Sequence, residues 1–140
     1  MSPLPNILTL LKLHRSTNGL TDEELELIAS RASVVTFDAD SHLHSMDNPF
    51  ADLLLIISGA ARIWIPGADE LPHTVQMIGR SNQFGLLALF RDDQAPVNVD
   101  ITQNVTGLTI KRQDAIELLK LWQRLKTLPQ KLIAWAPFGV

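Results

Sequence analysis

From residue 33 to residue 110 the apolar positions follow the period of a β-strand. Val34-Val35-Thr36-Phe37 is β-branched and aromatic, and Leu53-Leu54-Leu55-Ile56-Ile57 is an unbroken apolar run of the length of a buried strand. Segments 61–65, 74–78 and 97–101 alternate apolar with polar residues, and 105–110 completes the set. The intervals between them are turn-formers: Asp38-Ala39-Asp40-Ser41, Asp47-Asn48-Pro49, Ser58-Gly59, Pro66-Gly67 and Asp92-Asp93-Gln94. Glycine supplies left-handed backbone at such places, proline presets φ, and Asp, Asn and Ser bond neighbouring amides. Six or more short strands at this spacing predict a sandwich, jelly roll or β-roll.

Helical periodicity brackets this region. Residues 4–14 form a short amphipathic pattern that Ser16-Thr17-Asn18-Gly19 interrupts. Thr21-Asp22-Glu23-Glu24 then reads as a capping box, with the Thr21 hydroxyl accepting from the amide three residues on and Glu24 reaching back. Leu25, Ile28, Ala29 and Ala32 follow at helical spacing, so the pattern predicts a helix over 21–32. A second helix is predicted over 113–125, with Ile116, Leu118, Leu119, Trp122 and Leu125 in one broad stripe. Thr127-Leu128-Pro129 permits a further helix start, and Leu132-Ile133-Ala134-Trp135 continues it. The expectation is a mainly β chain with flanking helices, divided as 1–19, 20–126 and 127–140.

Composition narrows the chemistry. A chain of 140 residues with 46% hydrophobic and 19% charged residues suits a single globular core. The absence of cysteine excludes disulfides, thiolate metal sites and cysteine nucleophiles. A net charge of −3 argues against a primary affinity for phosphate backbones. No apolar run approaches the ~20 residues that cross a bilayer, so no membrane insertion is expected. The basic residues Lys12, His14 and Arg15 come at the end of the apolar segment 7–13, whereas a signal peptide carries them in front. A cytoplasmic location is the expectation.

Four stretches, taken in order, resemble one known family. They are Leu20-Thr21-Asp22-Glu23-Glu24-Leu25, the run Leu54-Leu55-Ile56-Ile57-Ser58-Gly59-Ala60-Ala61-Arg62-Ile63-Trp64, the segment Phe84-Gly85-Leu86-Leu87-Ala88-Leu89-Phe90, and Leu108-Thr109-Ile110-Lys111-Arg112. Together they are similar to the cyclic-nucleotide-binding domain of the Crp–Fnr and kinase-regulatory-subunit superfamily, over residues 20–126. The resemblance implies a β-roll with N-terminal helices and a C-terminal hinge helix. It also implies a phosphate-binding cassette at Phe84, Gly85, Leu86, Leu87 and Ala88, facing Pro96, Val97 and Asn98.

The departures from the family pattern bear on function. The family cassette reads Phe-Gly-Glu, and its glutamate holds the ribose; here Leu86 stands in that place and accepts no hydrogen bond. The family arginine that pairs with the cyclic phosphate falls in Gln94-Ala95-Pro96-Val97-Asn98, which has no basic residue. A charge-assisted contact is worth roughly 1.5–3 kcal/mol, so two such losses would weaken a cyclic nucleotide by orders of magnitude. Arg80 and Arg91 are the candidates to replace the phosphate partner. Family glycines correspond to Asp40, Met46 and Ser81-Asn82, and Asp and Asn tolerate left-handed turns. No cofactor is expected, with a cyclic nucleotide possible but disfavoured. The family's transcription factors continue into a helix-turn-helix, which this chain lacks room for, so DNA binding by this chain alone is not expected.

Other chemistry is sparse. His42 and His44 are two apart, which in a regular strand puts both on one side. With Asp47 or Asp52 they faintly resemble the first metal motif of cupins, an alternative enzymatic reading; no third histidine follows at suitable spacing, and no metal is expected. His14 has no evident companion. Asp92-Asp93 and Asp38-Asp40 suit turns better than catalysis. The C-terminal apolar residues Leu121, Trp122, Leu125, Leu128, Leu132 and Trp135 suggest an interface with a protein partner or a second copy. The preferred reading is a non-enzymatic regulatory or interaction module; a small-ligand sensor is the alternative.

Overall fold

The computed structural model describes residues 6–91 and 96–125. Helix α1 (Ile7–Leu13) is capped by Asn6, whose side chain accepts from the amides of Leu8 and Thr9. A 3-10 turn over Arg15–Thr17 follows. Helix α2 (Asp22–Arg31) starts at the predicted capping box: the Glu24 amide donates to Thr21 Oγ1 at 3.1 Å, and the Thr21 amide donates to Glu24 Oε1 at 2.9 Å. Strand β1 (Ala32–Phe37) begins directly where α2 ends.

The remaining strands are β2 (His42–His44), β3 (Leu53–Pro66), β4 (Pro72–Gly79), β5 (Gln83–Phe84) and β6 (Asn98–Ile110). Short helix α3 (Leu86–Arg91) lies between β5 and β6, and α4 (Arg112–Leu125) follows β6. The sheet runs β1-β6-β3-β4, with β2 also paired to β6 and β5 to β3, all antiparallel. This is the mainly β fold with flanking helices, a β-roll, that the sequence pattern predicts.

Two predicted breaks are absent. Ser58-Gly59 does not end a strand, and segments 53–57 and 61–65 belong to one 14-residue strand. Likewise 98–101 of the 97–101 run and 105–110 fall on one 13-residue strand, β6, with Val97 just before it. The two long strands pair along both halves, and register shifts between Ile56 and Ala61 absorb the bend. Gly59 makes the bend possible. Its φ is +96°, and a Cβ there would collide with the carbonyl of Asn104 on the facing strand.

The alternation along β3 serves two cores. Leu53, Leu55 and Ile57 face the helices, in a cluster with Leu11, Leu25, Ile28, Leu108, Ile110 and Leu118. Leu54 and Ile56 face the interior of the roll, with Ala61, Ile63, Ile78, Phe84, Val99 and Ile101. Each buried aliphatic side chain contributes about 1.5–3 kcal/mol, so both faces of the strand are strongly specified. Two of the positions where the resemblance puts family glycines keep left-handed backbone without glycine: Asp40 has φ 69° and Ser81 has φ 67°. At the second turn it is Ser81 that takes this conformation, while Asn82 closes the turn with its side chain, accepting from the Gly79 amide at 2.7 Å.

Candidate functional site

The cassette segment forms a sharp strand-to-helix transition. Phe84 ends β5 and turns its ring into the roll, 4.9 Å from the His44 ring and 6.4 Å from that of Phe50, centre to centre. Gly85 follows with φ +103°, and a Cβ there would strike the carbonyl of Asp52. Only glycine lets the chain pass this close and turn into α3. Gln83 Oε1 accepts from the Leu86 amide at 3.2 Å and so occupies the first turn of the helix. The Gln83 Nε2 is buried with no hydrogen-bond partner among the described residues.

Leu86 is fully buried. It packs in the helix-side core with Leu53, Leu55, Leu89, Ala115 and Leu118. The position at which the resemblance implies a ribose-binding acid is therefore filled by aliphatic packing, and an ionised carboxylate there would be severely desolvated. The same cluster contains Leu89 of α3 and Leu118 and Leu119 of α4, so α3 and α4 share one core. A polar link adds to it: Arg112 Nη2 donates to the Ala88 carbonyl at 3.4 Å, and the Arg112 amide donates to Asp52 Oδ1 at 3.0 Å. α3 and the first turn of α4 are thus in direct contact.

Val97 packs against the roll-side cluster that includes Phe84, while Pro96 is exposed and Asn98 pairs with Trp64 at the start of β6. Leu87 and Ala88 lie on α3, and Arg91 is its last residue. Arg80 lines a cleft with Leu13, Arg15, Asn18 and Ser81, none of which belongs to 84–98. Of the residues expected at an interface, Leu121 is exposed on α4, which also carries Trp122 and Leu125. Leu128, Leu132 and Trp135, with the helix start at 127–129, lie outside the described residues.

The paired-histidine reading is corrected by the strand itself. A register shift between His42 and His44 sets them opposite Asp100 and Val99, adjacent residues that point to opposite faces of β6. His42 stays at the surface, 2.6 Å from Asp100 Oδ1, while His44 is buried and its Nδ1 accepts from the Phe50 amide at 3.0 Å. The two imidazoles do not form one donor set, and no cluster of metal-ligating residues occurs among the described residues. Asp100 is instead a surface hub. Its Oδ2 accepts from Trp64 Nε1 at 2.8 Å and lies 3.7 Å from Arg62 Nη2. The Arg62 guanidinium also stacks over Trp64 at 5.9 Å.

His14 has companions that sequence spacing does not show. It is buried, and its Nε2 lies 2.8 Å from the carbonyl oxygen of Asn82, so Nε2 carries the hydrogen and donates. Nδ1 then accepts from the Ser16 amide at 3.2 Å and the Ser16 hydroxyl at 2.6 Å. Burial holds its pKa below the ordinary histidine value, against the raising effect of the Asn82 bond. A lone histidine closing an apolar helix is the one sequence signal of this contact.

Comparison with known proteins supports the fold and stops there. No family model and no curated protein sequence matches the chain. Solved structures do. The regulatory domain of Toxoplasma gondii PKA with cAMP superposes with a TM-score of 0.72 at 18% identity, covering 86% of this chain and 47% of that one. The catabolite activator protein of Thermus thermophilus gives 0.70 at 20% identity, over 85% of this chain and 55% of that one. The N-terminal domain of a transcriptional regulator from Streptomyces coelicolor gives 0.72 at 19% identity, over 89% of each. The fold is that of the cyclic-nucleotide-binding domains of Crp–Fnr type. The chain spans about half the length of the first two of these structures. Among the described residues no helix is long and apolar enough to cross a membrane.

Proposed function

We propose that this chain is a non-enzymatic regulatory module whose output is the position of α4, read by a protein partner or by a second copy. The observation that carries the reading is the core shared by Leu86 and Leu89 of the cassette with Leu118 and Leu119 of α4, reinforced by Arg112 on the Ala88 carbonyl. Two helices packed in one core have few alternative arrangements, so a change at either one shifts both. Leu121, Trp122, Leu125, Leu128, Leu132 and Trp135 are the residues proposed to make that contact. A cytoplasmic location accords with this role.

A second reading, small-ligand sensing at the cassette, is favoured by the buried Nε2 of Gln83, which has no partner among the described residues. A buried donor without an acceptor costs about 1–3 kcal/mol, which an acceptor on a ligand would recover. With Leu86 in place of the acid, that ligand is not expected to be an ordinary cyclic nucleotide. The structures of similar fold include a regulatory domain crystallised with cAMP, which supports this reading.

Thermal unfolding with saturating cyclic AMP and cyclic GMP, run beside sedimentation of the same samples, tests both. A ligand at 100 times its dissociation constant stabilises by about 2.7 kcal/mol, a shift of several degrees. The module reading expects no shift and a self-associating or partner-binding chain that Trp122→Ala disrupts. A shift with either nucleotide would establish the sensor instead. A monomer that engages no partner would overturn the module reading.

A further inference from the structure

Strand β4 ends the sheet, and β3 is its only partner strand among the described residues. An edge of this kind presents a row of backbone donors and acceptors to any extended segment that approaches, and sheets commonly guard it with charged side chains. Here Pro72 opens the strand and a register slip leaves Val75 without an opposite on β3, but residues 71–79 contain no Asp, Glu, Lys or Arg. Leu71, Val75 and Met77 are exposed, as is Ile65 at the facing end of β3. Charge is confined to the two ends of the segment. Exposed Asp69 and Glu70 stand at the hairpin tip, and exposed Arg80 follows Gly79, with Glu70 and Arg80 at equal sequence distance from Val75. The tip is held in shape: the Gly67 amide donates to the Leu71 carbonyl and the Glu70 amide to the Gly67 carbonyl, both at 2.9 Å.

We propose that β4 pairs antiparallel with β4 of a second copy of this chain, across a two-fold axis near Val75. A bare edge is completed by another extended strand, and a two-fold interface uses the same patch on both copies. The placement of charge selects this occupant. Antiparallel pairing brings Arg80 of each copy to the Asp69–Glu70 tip of the other, whereas parallel pairing would set acid against acid. Near the axis Val75 meets its own copy and Met77 meets His73, so the middle of the ladder opposes no like charges. The contact is a single strand edge, so a weak dimer is expected, with a dissociation constant on the order of 100 μM. It lies on the sheet and does not depend on the contact proposed for α4.

The test is sedimentation equilibrium of the whole chain from about 10 μM to about 1 mM, with amide hydrogen exchange read at both ends of that range. A monomer–dimer equilibrium is expected, with amides in 72–79 gaining protection in the dimer. Val75→Lys sets two lysines against each other near the axis and should weaken association at least about tenfold. Glu70→Arg should weaken it by roughly tenfold, and the Glu70→Arg/Arg80→Glu double variant, which exchanges the two charges, should restore it to within about threefold. These residues are exposed, so the variants should keep the parent unfolding midpoint. Trp122→Ala should leave this dimer intact. A chain that stays monomeric at about 1 mM, or a double variant no tighter than Glu70→Arg alone, overturns the proposal. Association that Trp122→Ala abolishes and Val75→Lys does not overturns it too, and assigns the self-contact to α4.

Discussion

His14 donates from Nε2 to the carbonyl of Asn82, 68 residues along the chain, and so ties the N-terminal helical segment to the turn that leads into the cassette. The bond exists with the ring neutral. Burial lowers the pKa in the folded state, whereas the unfolded chain takes up a proton at an ordinary histidine pKa of about 6.5. The contribution is therefore complete above about pH 6.5 and is lost as the pH falls from there through the lower folded value. Denaturant unfolding at pH 7.5, 6.5 and 5.5 should show stability falling by up to about 1.4 kcal/mol per pH unit within that window. His14→Gln keeps a donor for Asn82 and should remove this part of the slope; an unchanged slope would refute the assignment.

Leu86 gives a second prediction. Leu86→Ala should cost about 2–5 kcal/mol, as for other buried leucines whose removal leaves a cavity. Leu86→Glu restores the acid that the family resemblance implies, yet it should destabilise further and confer no nucleotide binding. Its carboxyl would have a folded pKa raised by burial, so the variant should hold best at low pH and lose stability as the pH rises through that value. Urea unfolding at pH 4.5 and 7.5 distinguishes this from simple loss of packing, which would be independent of pH.

Gly59 is the third. Alanine there needs both a left-handed backbone and a displacement of the Asn104 carbonyl. Gly59→Ala should destabilise by at least about 2 kcal/mol, read from the chemical-unfolding midpoint. Asp40→Gly, at a position whose φ is already 69°, should be neutral or stabilising by up to about 1 kcal/mol.

The Asp100 hub is the fourth. Asp100→Asn replaces one acceptor oxygen by a donor that faces Trp64 Nε1 or His42 Nδ1, at a cost of about 1–3 kcal/mol. A double-mutant cycle with Trp64→Phe should give a coupling of about 1 kcal/mol or more, against near zero for an independent pair.

Much of this architecture was legible in the sequence. The capping box at Thr21 and Glu24, the period-two runs and the helix predicted over 113–125 all stand as read, because each is a local pattern with a local cause. The misses share a different origin. Ser58-Gly59 reads as a turn until β6 is laid beside it, since pairing partners decide whether a flexible pair bends or ends a strand. The same holds for His42 and His44. Their separation of two promises one face, and only the register shift against Asp100 and Val99 sends them apart. The long-range contact of His14 could not be read, its acceptor being a backbone carbonyl 68 residues away that no residue type announces. At the cassette, the loss of the acid was plain, but not that Leu86 had joined the helical core.

The placement of β6 has a consequence for how the chain is made. Its thirteen residues, 98–110, are the pairing partner of β1, of β2 and of most of β3, yet they come after all three in the chain. During synthesis β1 and β2 have no strand to pair with, and β3 has only β4 and β5, until β6 is available. The sheet is thus completed late, with sequence-distant pairings of β6 closing long loops. Its vulnerable moment is the nascent chain, where a chaperone or a protease meets the exposed strands before the fold does.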